Sequence, residues 1–192
     1  MRNLVFTGRF QPLHSGHIEM LRAIKEQYPD DLLIICIVRN TSREVKPEID
    51  NAFNVISRQK QKKNNNPLPN WERYMLLKLA VENDDVLKRN TAIIFRERAD
   101  ISWKKSVADL PDDRIFILPS EKRDEFDIQK HKFYRDINER VETVSYGKKH
   151  VSATDIRNKL YSGDYDLSFL PFACVDYFKS NCLKYFVKNR TV

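Results

Sequence analysis

The sequence predicts an α/β protein built on a five-stranded, mostly parallel, doubly wound sheet of Rossmann-like type, with helices on both faces. A strand-like run at residues 3–7 is followed by a helical pattern at 16–28 and a second apolar run at 32–38. Strand, helix and strand at this spacing imply a parallel pair with a crossover helix. Strand and helix patterns continue to alternate along the chain, which extends the same architecture.

The first three elements are defined by the spacing of apolar residues and by two residues that end an element, Gly8 and Pro29. The first strand stops at Gly8, one of four glycines. Apolar residues then recur at helical spacing until Pro29, which cannot continue a helix; they are Ile18, Leu21, Ile24 and Tyr28. The isoleucine-rich run at 32–38 is wholly apolar, which is typical of a strand covered on both faces.

The middle of the chain begins with a polar stretch at 39–69 that has only a weak apolar patch at 53–56. A connection of this length is mobile or functional. Asn70 is predicted to cap a helix, whose expected buried face carries Trp71, Met75, Leu79 and Val86. A strand is predicted at 91–95.

The second half is expected to continue the alternation. We predict a short helix at 102–110, a strand at 114–118, a partly helical segment at 120–138 and an edge strand at 141–146. Ser152 and Gly163 bracket a predicted helix at 153–162, with Asp155 in capping-box position. A last helix has Pro171 in its first turn and an apolar face; that face carries Val175, Phe178, Cys182 and Phe186.

Composition limits the function classes. The 192 residues suit one domain, here an α/β core over 1–165 and a C-terminal helix over 166–192 that packs on it. No apolar run approaches the ~18 residues of a membrane span, and the N-terminus lacks a secretory cleavage pattern, so we expect a soluble, cytoplasmic protein. Three cysteines without CxxC spacing favour neither a disulfide framework nor a zinc site. The net charge of +7 favours an anionic partner.

The first strand-to-helix turn, residues 8–17 (GRFQPLHSGH), concentrates two of the four glycines and two of the four histidines. In a doubly wound sheet this turn lies at the carboxyl end of a strand, where ligands bind and the helix start presents free N–H groups to an anion. Gly16 would let a phosphate approach the backbone, and His14 and His17 would stabilise charge on it. The alternative is a tight turn with two histidines on a solvated loop. GxGxxG and GxxxxGK[ST] are both absent.

A second motif lies at residues 151–157 (VSATDIR). The hydroxyls of Ser152 and Thr154, the free N–H groups of the helix start and the side chain of Arg157 would surround one helix terminus and bind phosphate. The alternative is a well-capped surface helix with an exposed arginine. The two motifs are more than 130 residues apart in the sequence.

Together the two motifs resemble those of the HxGH nucleotidyltransferase superfamily, in the form found in nicotinamide mononucleotide (NMN) adenylyltransferases. The resemblance implies a single nucleotidyltransferase domain in which both motifs flank the ATP triphosphate, and it implies catalytic roles for His17, His14 and Arg157. The residues implied to bind ATP are Gly8, Arg9, Phe10, His14, Gly16, His17, Ser152, Thr154 and Arg157.

Two further segments resemble the same family. Residues 66–73 (NPLPNWER) are similar to a helix start bordering the mononucleotide site, which makes Asn66 and Arg73 candidate NMN contacts. Residues 98–103 (RADISW) resemble the segment that recognises the nicotinamide ring, which makes Asp100 a candidate contact and Trp103 a candidate stacking partner. The alternatives are a solvated arginine at position 73 and a core tryptophan at position 103.

The resemblance implies ATP and NMN, or a related mononucleotide, as partners and Mg²⁺ bound through the ATP phosphates, with no protein metal site. It leaves open the choice between nicotinamide and nicotinate and the role of the polar insertion at 44–63. It also leaves open the oligomeric state, for which a homo-oligomer is one alternative. No membrane partner is expected and no nucleic-acid motif is visible. Two alternatives remain: a cytidylyl- or adenylyltransferase for another phosphorylated small molecule, and a non-catalytic nucleotide sensor or nucleic-acid-binding regulator that uses the basic run at 58–63.

Overall fold

The computed structural model describes residues 1–40, 51–59, 65–122, 124–147 and 151–187. Its sheet has five strands in the order β3-β2-β1-β4-β5, and every pair of neighbours is parallel. The strands are β1 (Asn3–Gly8), β2 (Leu32–Val38), β3 (Thr91–Arg96), β4 (Ile115–Pro119) and β5 (Val141–Val144). The predicted doubly wound sheet is confirmed, and the carboxyl ends of all five strands lie along one edge.

Helices connect these strands. Those described are α1 (Ser15–Gln27), α2 (Ala52–Gln59), α3 (Asn70–Glu82), α4 (Trp103–Val107), α5 (Glu125–Asp136) and α6 (Ala153–Ser162). The predicted bounds of α6 are confirmed: Ser152 is its N-cap and Gly163 ends it at φ 90°, where L side chains are disfavoured. None of the helices in the described ranges is long and apolar enough to cross a membrane.

The predicted buried face of α3 is wrong at two of its four residues, whereas Met75 is half-buried and Leu79 packs against the core. Trp71 is 61% exposed, and Val86 lies beyond the end of the helix with 40% exposure. The N-cap is Pro69, because the side chain of Asn70 is used elsewhere: it accepts a hydrogen bond from the backbone of Asn40 at 3.0 Å. The residues that α3 buries are Arg73, Leu76, Leu77, Ala80 and Val81.

The C-terminal segment, residues 172–185, is an irregular helical run of 3₁₀, α, π and 3₁₀ turns rather than one α-helix. Phe178, Cys182 and Phe186 are buried as predicted, whereas Val175 is half-buried. Their spacing of four residues exceeds the 3.6 residues of an α-helical turn, and the wider π turn keeps all three on one face. The segment packs on α3, where the Tyr177 hydroxyl donates to Glu72 Oε2 at 2.6 Å.

Both faces of the sheet are covered. One apolar cluster, which includes Leu4 and Phe6, packs against α1, α3 and the C-terminal segment. The other, which includes Val5 and Phe116, packs against α2, α4 and α5. Lys60, Lys62 and Lys63 of the basic run at 58–63 lie outside the described residues, as does much of the insertion at 44–63.

Candidate functional site

A cavity of about 470 Å³ opens between the carboxyl ends of β1 and β4 and the start of α6. In the order β3-β2-β1-β4-β5 the connections from β1 and β4 run in opposite directions at this point, which is where open α/β sheets bind ligands. The volume lies within the roughly 300–1,000 Å³ of small-molecule sites. We call it the histidine cavity; the sequence-predicted residues that line it are Gly8, Arg9, His14, Gly16, His17, Ser152, Thr154 and Arg157.

The two histidines of the histidine cavity are held together at the start of α1. Their ring centroids are 3.7 Å apart, and His14 is 7% exposed. The backbone N–H of His14 donates to Nδ1 of His17 at 3.3 Å. Because Nδ1 accepts this bond, the neutral His17 ring carries its proton on Nε2. His17 can therefore act as a hydrogen-bond donor through Nε2.

Two glycines make room for aromatic rings in this loop. A Cβ atom on Gly8 would lie 2.8 Å from Cζ of Phe10, and one on Gly16 would lie 3.2 Å from Nδ1 of His14. The space at Gly16 is thus filled by an imidazole. Phe10, implied to bind ATP, is instead a core residue: it is 1% exposed, and its ring supports that of His17 at 4.9 Å between centroids.

Arg157 is a buried and firmly anchored cation of the histidine cavity. It is 4% exposed, so a solvated surface arginine is excluded. Its Nη1 donates to the carbonyl of Gln11 at 2.6 Å and its Nη2 to Oγ1 of Thr154 at 3.0 Å. Because the Thr154 oxygen accepts from Arg157, its hydroxyl proton is left to donate to a ligand. Burial lowers the pKa of Arg157.

The starts of α1 and α6 offer different donors. In α1 the N–H of Ser15 already donates to the carbonyl of Phe169 at 2.8 Å, and that of His17 to the carbonyl of His14 at 2.9 Å. In α6 the Ser152 side chain caps Asp155 at 3.3 Å, while Ala153 and Thr154 stand in the first turn, whose N–H groups have no partner within a helix. The first turn of α6 therefore offers N–H groups beside the Thr154 hydroxyl at the wall of the histidine cavity.

Buried arginines give this end of the sheet a strong positive potential. Burial and the neighbouring Arg157 lower the pKa of Arg9 to about 10, and burial and Arg9 lower the pKa of Arg73 to about 9. Within the described ranges no carboxylate forms an ion pair with Arg73, Arg96 or Arg157. Like charges in a region of low dielectric favour binding of a polyanion.

Arg73 lies beneath the site rather than on its surface. It is 0% exposed, and its Nη1 donates to the carbonyls of Arg9 at 2.7 Å and Val38 at 2.8 Å. Its Nη2 donates to Oδ1 of Asn70. The Nη groups of Arg73 thus hold the ends of β1 and β2, while its buried Nε has no hydrogen-bond partner among the described residues. This buried position favours a positioning role, and the implied contact with NMN stays a prediction. Asn66 is half-buried in the loop before α3 and, like Arg73, is not among the described residues that line the cavities.

A smaller cavity of about 110 Å³ adjoins the first, at the ends of β1, β2 and β3. We call it the arginine cavity because Arg9, Arg96 and Arg98 line it; it shares Thr7, Gly8, Arg9, Phe126 and Lys130 with the histidine cavity. Asp100 lines it as well and is 2% exposed, paired with Arg98 through Oδ1 and Nε at 3.1 Å. Its carboxylate therefore serves an internal ion pair.

Trp103, implied to stack on a nicotinamide ring, is engaged by the core. Its ring centroid lies 5.8 Å from that of Phe116, 5.5 Å from Phe133 and 5.7 Å from Tyr134. The guanidinium carbon of Arg96 stands 5.0 Å from the ring centroid. Protein groups thus surround much of the half-buried indole, and this packing favours the core alternative.

The sequence analysis assigns no functional role to three residues of α5 or to Gln11. Phe126, Lys130 and Tyr134, spaced four residues apart along α5, line the arginine cavity, and this helical spacing is the signal that could have found them. Gln11, 2% exposed, exchanges two hydrogen bonds with the backbone of Leu68, through Nε2 at 2.8 Å and Oε1 at 2.9 Å. No short-range pattern marks such a long-range contact.

Residues 5–55 match the cytidylyltransferase-like family model. The matched stretch contains residues 8–17, α1 and β2. Residues 8–17 and the first turns of α1 form one wall of the histidine cavity. No curated protein sequence matches the chain.

Two solved structures from Francisella tularensis share the fold, both of a bifunctional NMN adenylyltransferase/ADP ribose pyrophosphatase. The one complexed with AMP and a manganese ion aligns with 97% of this chain at a TM-score of 0.59 and 15% identity. The other aligns with 96% at 0.58 and 18% identity. This chain covers 52% of each, about half their length. The likeness shows the fold, and with the family model it supports the nucleotidyltransferase superfamily.

Proposed function

We propose that this protein is an adenylyltransferase that joins ATP to NMN, giving NAD and pyrophosphate, with the nicotinate mononucleotide as a further acceptor. The observation that carries the proposal is the convergence of residues 8–17 and 151–157 on one cavity. The cytidylyltransferase-like match over 5–55 and the nucleotidyltransferase fold support the same reaction class.

The reaction needs little covalent help from the protein. A phosphate oxygen of the mononucleotide attacks the α-phosphorus of ATP, a new P–O bond forms, and the bond to the β-phosphate breaks as pyrophosphate leaves. The nucleophile is already anionic, so positioning and charge stabilisation matter more than a general base.

The residues of the histidine cavity divide these tasks. His17, through Nε2–H, donates to the oxygen on which charge develops, beside His14. Arg157, the Thr154 hydroxyl and the first N–H groups of α6 hold the departing pyrophosphate. Arg9 contributes a cation to the same wall.

Mg²⁺ belongs to this proposal as an ion carried by ATP. The described residues contain no group of three or more side chains able to hold a metal ion. Two carboxylates, Asp124 and Asp127, do line the histidine cavity. This donor set suits an ion held mainly by phosphate oxygens and water, with the carboxylates as outer partners. When bound, the ion neutralises phosphate charge.

The test is a turnover assay with ATP and NMN that follows both NAD and pyrophosphate. We expect wild-type turnover and a loss of about a hundredfold or more in His17→Ala, as for removal of one oxyanion donor. His17→Asn is the matched variant, because its side-chain oxygen can still accept from the His14 N–H while the Nε2 donor is gone. If either variant keeps near-normal turnover with an unchanged unfolding midpoint, the role assigned to His17 is wrong.

A second candidate is a cytidylyltransferase acting on another phosphorylated small molecule, favoured by the description of the matching family model. A panel of ATP, CTP and GTP against NMN and phosphorylated alcohols separates it from the first. If pyrophosphate is released only with CTP, the protein is a cytidylyltransferase and the proposed reaction of ATP with NMN is wrong. Nucleotide binding without any turnover would favour a sensor instead.

A further inference from the structure

Gln11 is a buried polar residue in the loop of residues 8–17, and the proposed chemistry gives it no task. Its side chain is 2% exposed and pairs with the backbone of Leu68, where Nε2 donates to the carbonyl at 2.8 Å and Oε1 accepts from the N–H at 2.9 Å. An amide side chain can donate and accept in this way, whereas an ionised carboxylate only accepts and an aliphatic side chain does neither. Gln11 therefore ties the loop to a segment 57 residues away in the sequence.

The partner of Gln11 is itself held by the fold. Leu68 is fully buried in the apolar cluster beneath α1 and α3. Its carbonyl accepts a second hydrogen bond, from Nδ2 of Asn40 at 2.9 Å. The backbone N–H of Asn40, just after β2, donates to Oδ1 of Asn70 in α3 at 3.0 Å. Leu68 thus gives Gln11 a firm attachment between the end of β2 and the start of α3.

The backbone carbonyl of Gln11 holds Arg157, which lines the histidine cavity. Nη1 of Arg157 donates to this carbonyl at 2.6 Å, across 146 residues of sequence. A further hydrogen bond joins Nη2 of Arg157 to Oγ1 of Thr154, which belongs to the same helix, α6. Because a bond within α6 cannot set the distance between α6 and the loop of residues 8–17, the position of the guanidinium across the cavity depends on the Gln11 carbonyl.

A neighbouring like charge makes this anchor necessary. Arg9 and Arg157 both line the histidine cavity, and burial together with the charge of Arg157 lowers the pKa of Arg9 to about 10. The two cations therefore repel each other, and the buried Arg157 has little water around it to screen the repulsion. A charge-assisted hydrogen bond to a fixed carbonyl opposes this repulsion and keeps the planar guanidinium in one orientation.

The backbone next to Gln11 also needs support. Phe10 has φ 51°, in the left-handed region that residues other than glycine rarely adopt. Such a conformation persists only where the surrounding structure holds it. The carbonyls on either side of Phe10, those of Arg9 and Gln11, accept from Arg73 and Arg157 respectively. The side chain of Gln11 adds a third hold on the same short stretch.

We propose that Gln11 is a positioning residue that acts through Arg157 on the bound polyphosphate. Its amide holds residue 11 to Leu68, its carbonyl holds the guanidinium, and the guanidinium holds the phosphates. The inference rests on the proposed function, because it requires a polyphosphate in the histidine cavity. Gln11 itself contacts no substrate, and loss of its side chain keeps the charge of Arg157 but frees the guanidinium to shift.

The test is a double-mutant cycle between Gln11→Met and Arg157→Met. Calorimetry measures binding of ATP and of inorganic tripolyphosphate, and pyrophosphate release with ATP and NMN measures turnover. Met has nearly the length of Gln and lacks both amide groups. We expect Gln11→Met to weaken binding of both probes and to lower kcat/KM for ATP by roughly tenfold. In the Arg157→Met background the same change should cost less than about twofold, because the residue through which Gln11 acts is gone.

Asn40→Ala is the matched control. It removes a hydrogen bond to the same Leu68 carbonyl but leaves both bonds of Gln11. We expect it to lower the unfolding midpoint about as much as Gln11→Met does and to keep the Kd for ATP within about twofold of the wild type. If Asn40→Ala weakens ATP binding as much as Gln11→Met does, the loss comes from general loosening and the positioning role is wrong.

The outcomes separate this inference from the proposed function. A loss of roughly tenfold that persists in the Arg157→Met background, or an unchanged Kd in folded Gln11→Met, overturns the role of Gln11 and leaves the adenylyl transfer intact. Absence of turnover, with binding coupled as expected, overturns the reaction with NMN alone. A wild type that binds neither probe overturns both. If Gln11→Met does not fold, Gln11→Asn keeps the amide but is one methylene too short to reach both groups of Leu68; an unchanged Kd there contradicts the proposal.

Discussion

The histidine cavity and the arginine cavity share a wall, yet they are built in different ways. The first takes its groups from a loop and a helix start, where Arg157 is anchored by the carbonyl of Gln11 and the hydroxyl of Thr154. The second takes its groups from strand ends and α5, where Arg96 is fixed between aromatic rings. The comparison teaches that backbone and hydroxyl groups shape the histidine cavity, while packed side chains shape the arginine cavity.

The largest expected effect tests the first half of this comparison. Arg157→Met should lower kcat/KM for ATP by about a hundredfold, because it removes a cation and leaves the Gln11 carbonyl without its donor. Arg157→Lys is the matched control and should recover part of the loss. The assay is pyrophosphate release at varied ATP. Full activity in folded Arg157→Met would show that the polyphosphate does not lie in the histidine cavity.

A variant of Arg73 tests whether this buried residue contacts the mononucleotide or holds the strand ends beneath the site. Arg73→Met should lower the free energy of unfolding by about 2 kcal/mol, since the carbonyls of Arg9 and Val38 lose their buried donor. Chemical denaturation measures this loss. A raised KM for the mononucleotide with unchanged stability would restore the direct contact that the sequence resemblance implies.

Ser152 separates capping of α6 from phosphate binding. Ser152→Ala should cost about 1 kcal/mol of stability through the lost cap to Asp155. Ser152→Asp keeps a capping oxygen but adds a negative charge where the polyphosphate is proposed to lie. It should therefore keep its unfolding midpoint and raise KM for ATP by roughly tenfold. An unchanged KM in the Asp variant would mean that the helix start faces no anion.

The same comparison explains what the sequence could predict. The fold and the histidine cavity depend on local patterns. These are the apolar runs, the end of a helix before Pro29, the Ser152 cap and two short motifs whose residue types indicate phosphate binding. The arginine cavity depends on contacts across the chain, such as those of Arg96 with Ser106 and Tyr134, which no spacing rule encodes. The prediction for α3 fails for a related reason, because Arg73, expected to be solvated or to contact substrate, is fully buried.

The smallest expected effect concerns Trp103, where the sequence resemblance and the packing disagree most directly. Its ring packs against Phe116, Phe133 and Tyr134, so Trp103→Phe should cost about 1 kcal/mol of stability through lost packing. The KM for either mononucleotide should stay within about twofold, because Trp103 packs on core rings and is not among the described residues that line the two cavities, and a phenyl group can still support Arg96. Steady-state kinetics alongside thermal unfolding measures both quantities. A KM increase of roughly tenfold without loss of stability would show that the ring stacks on substrate after all, and it would place the acceptor deeper in the core than the arginine cavity allows.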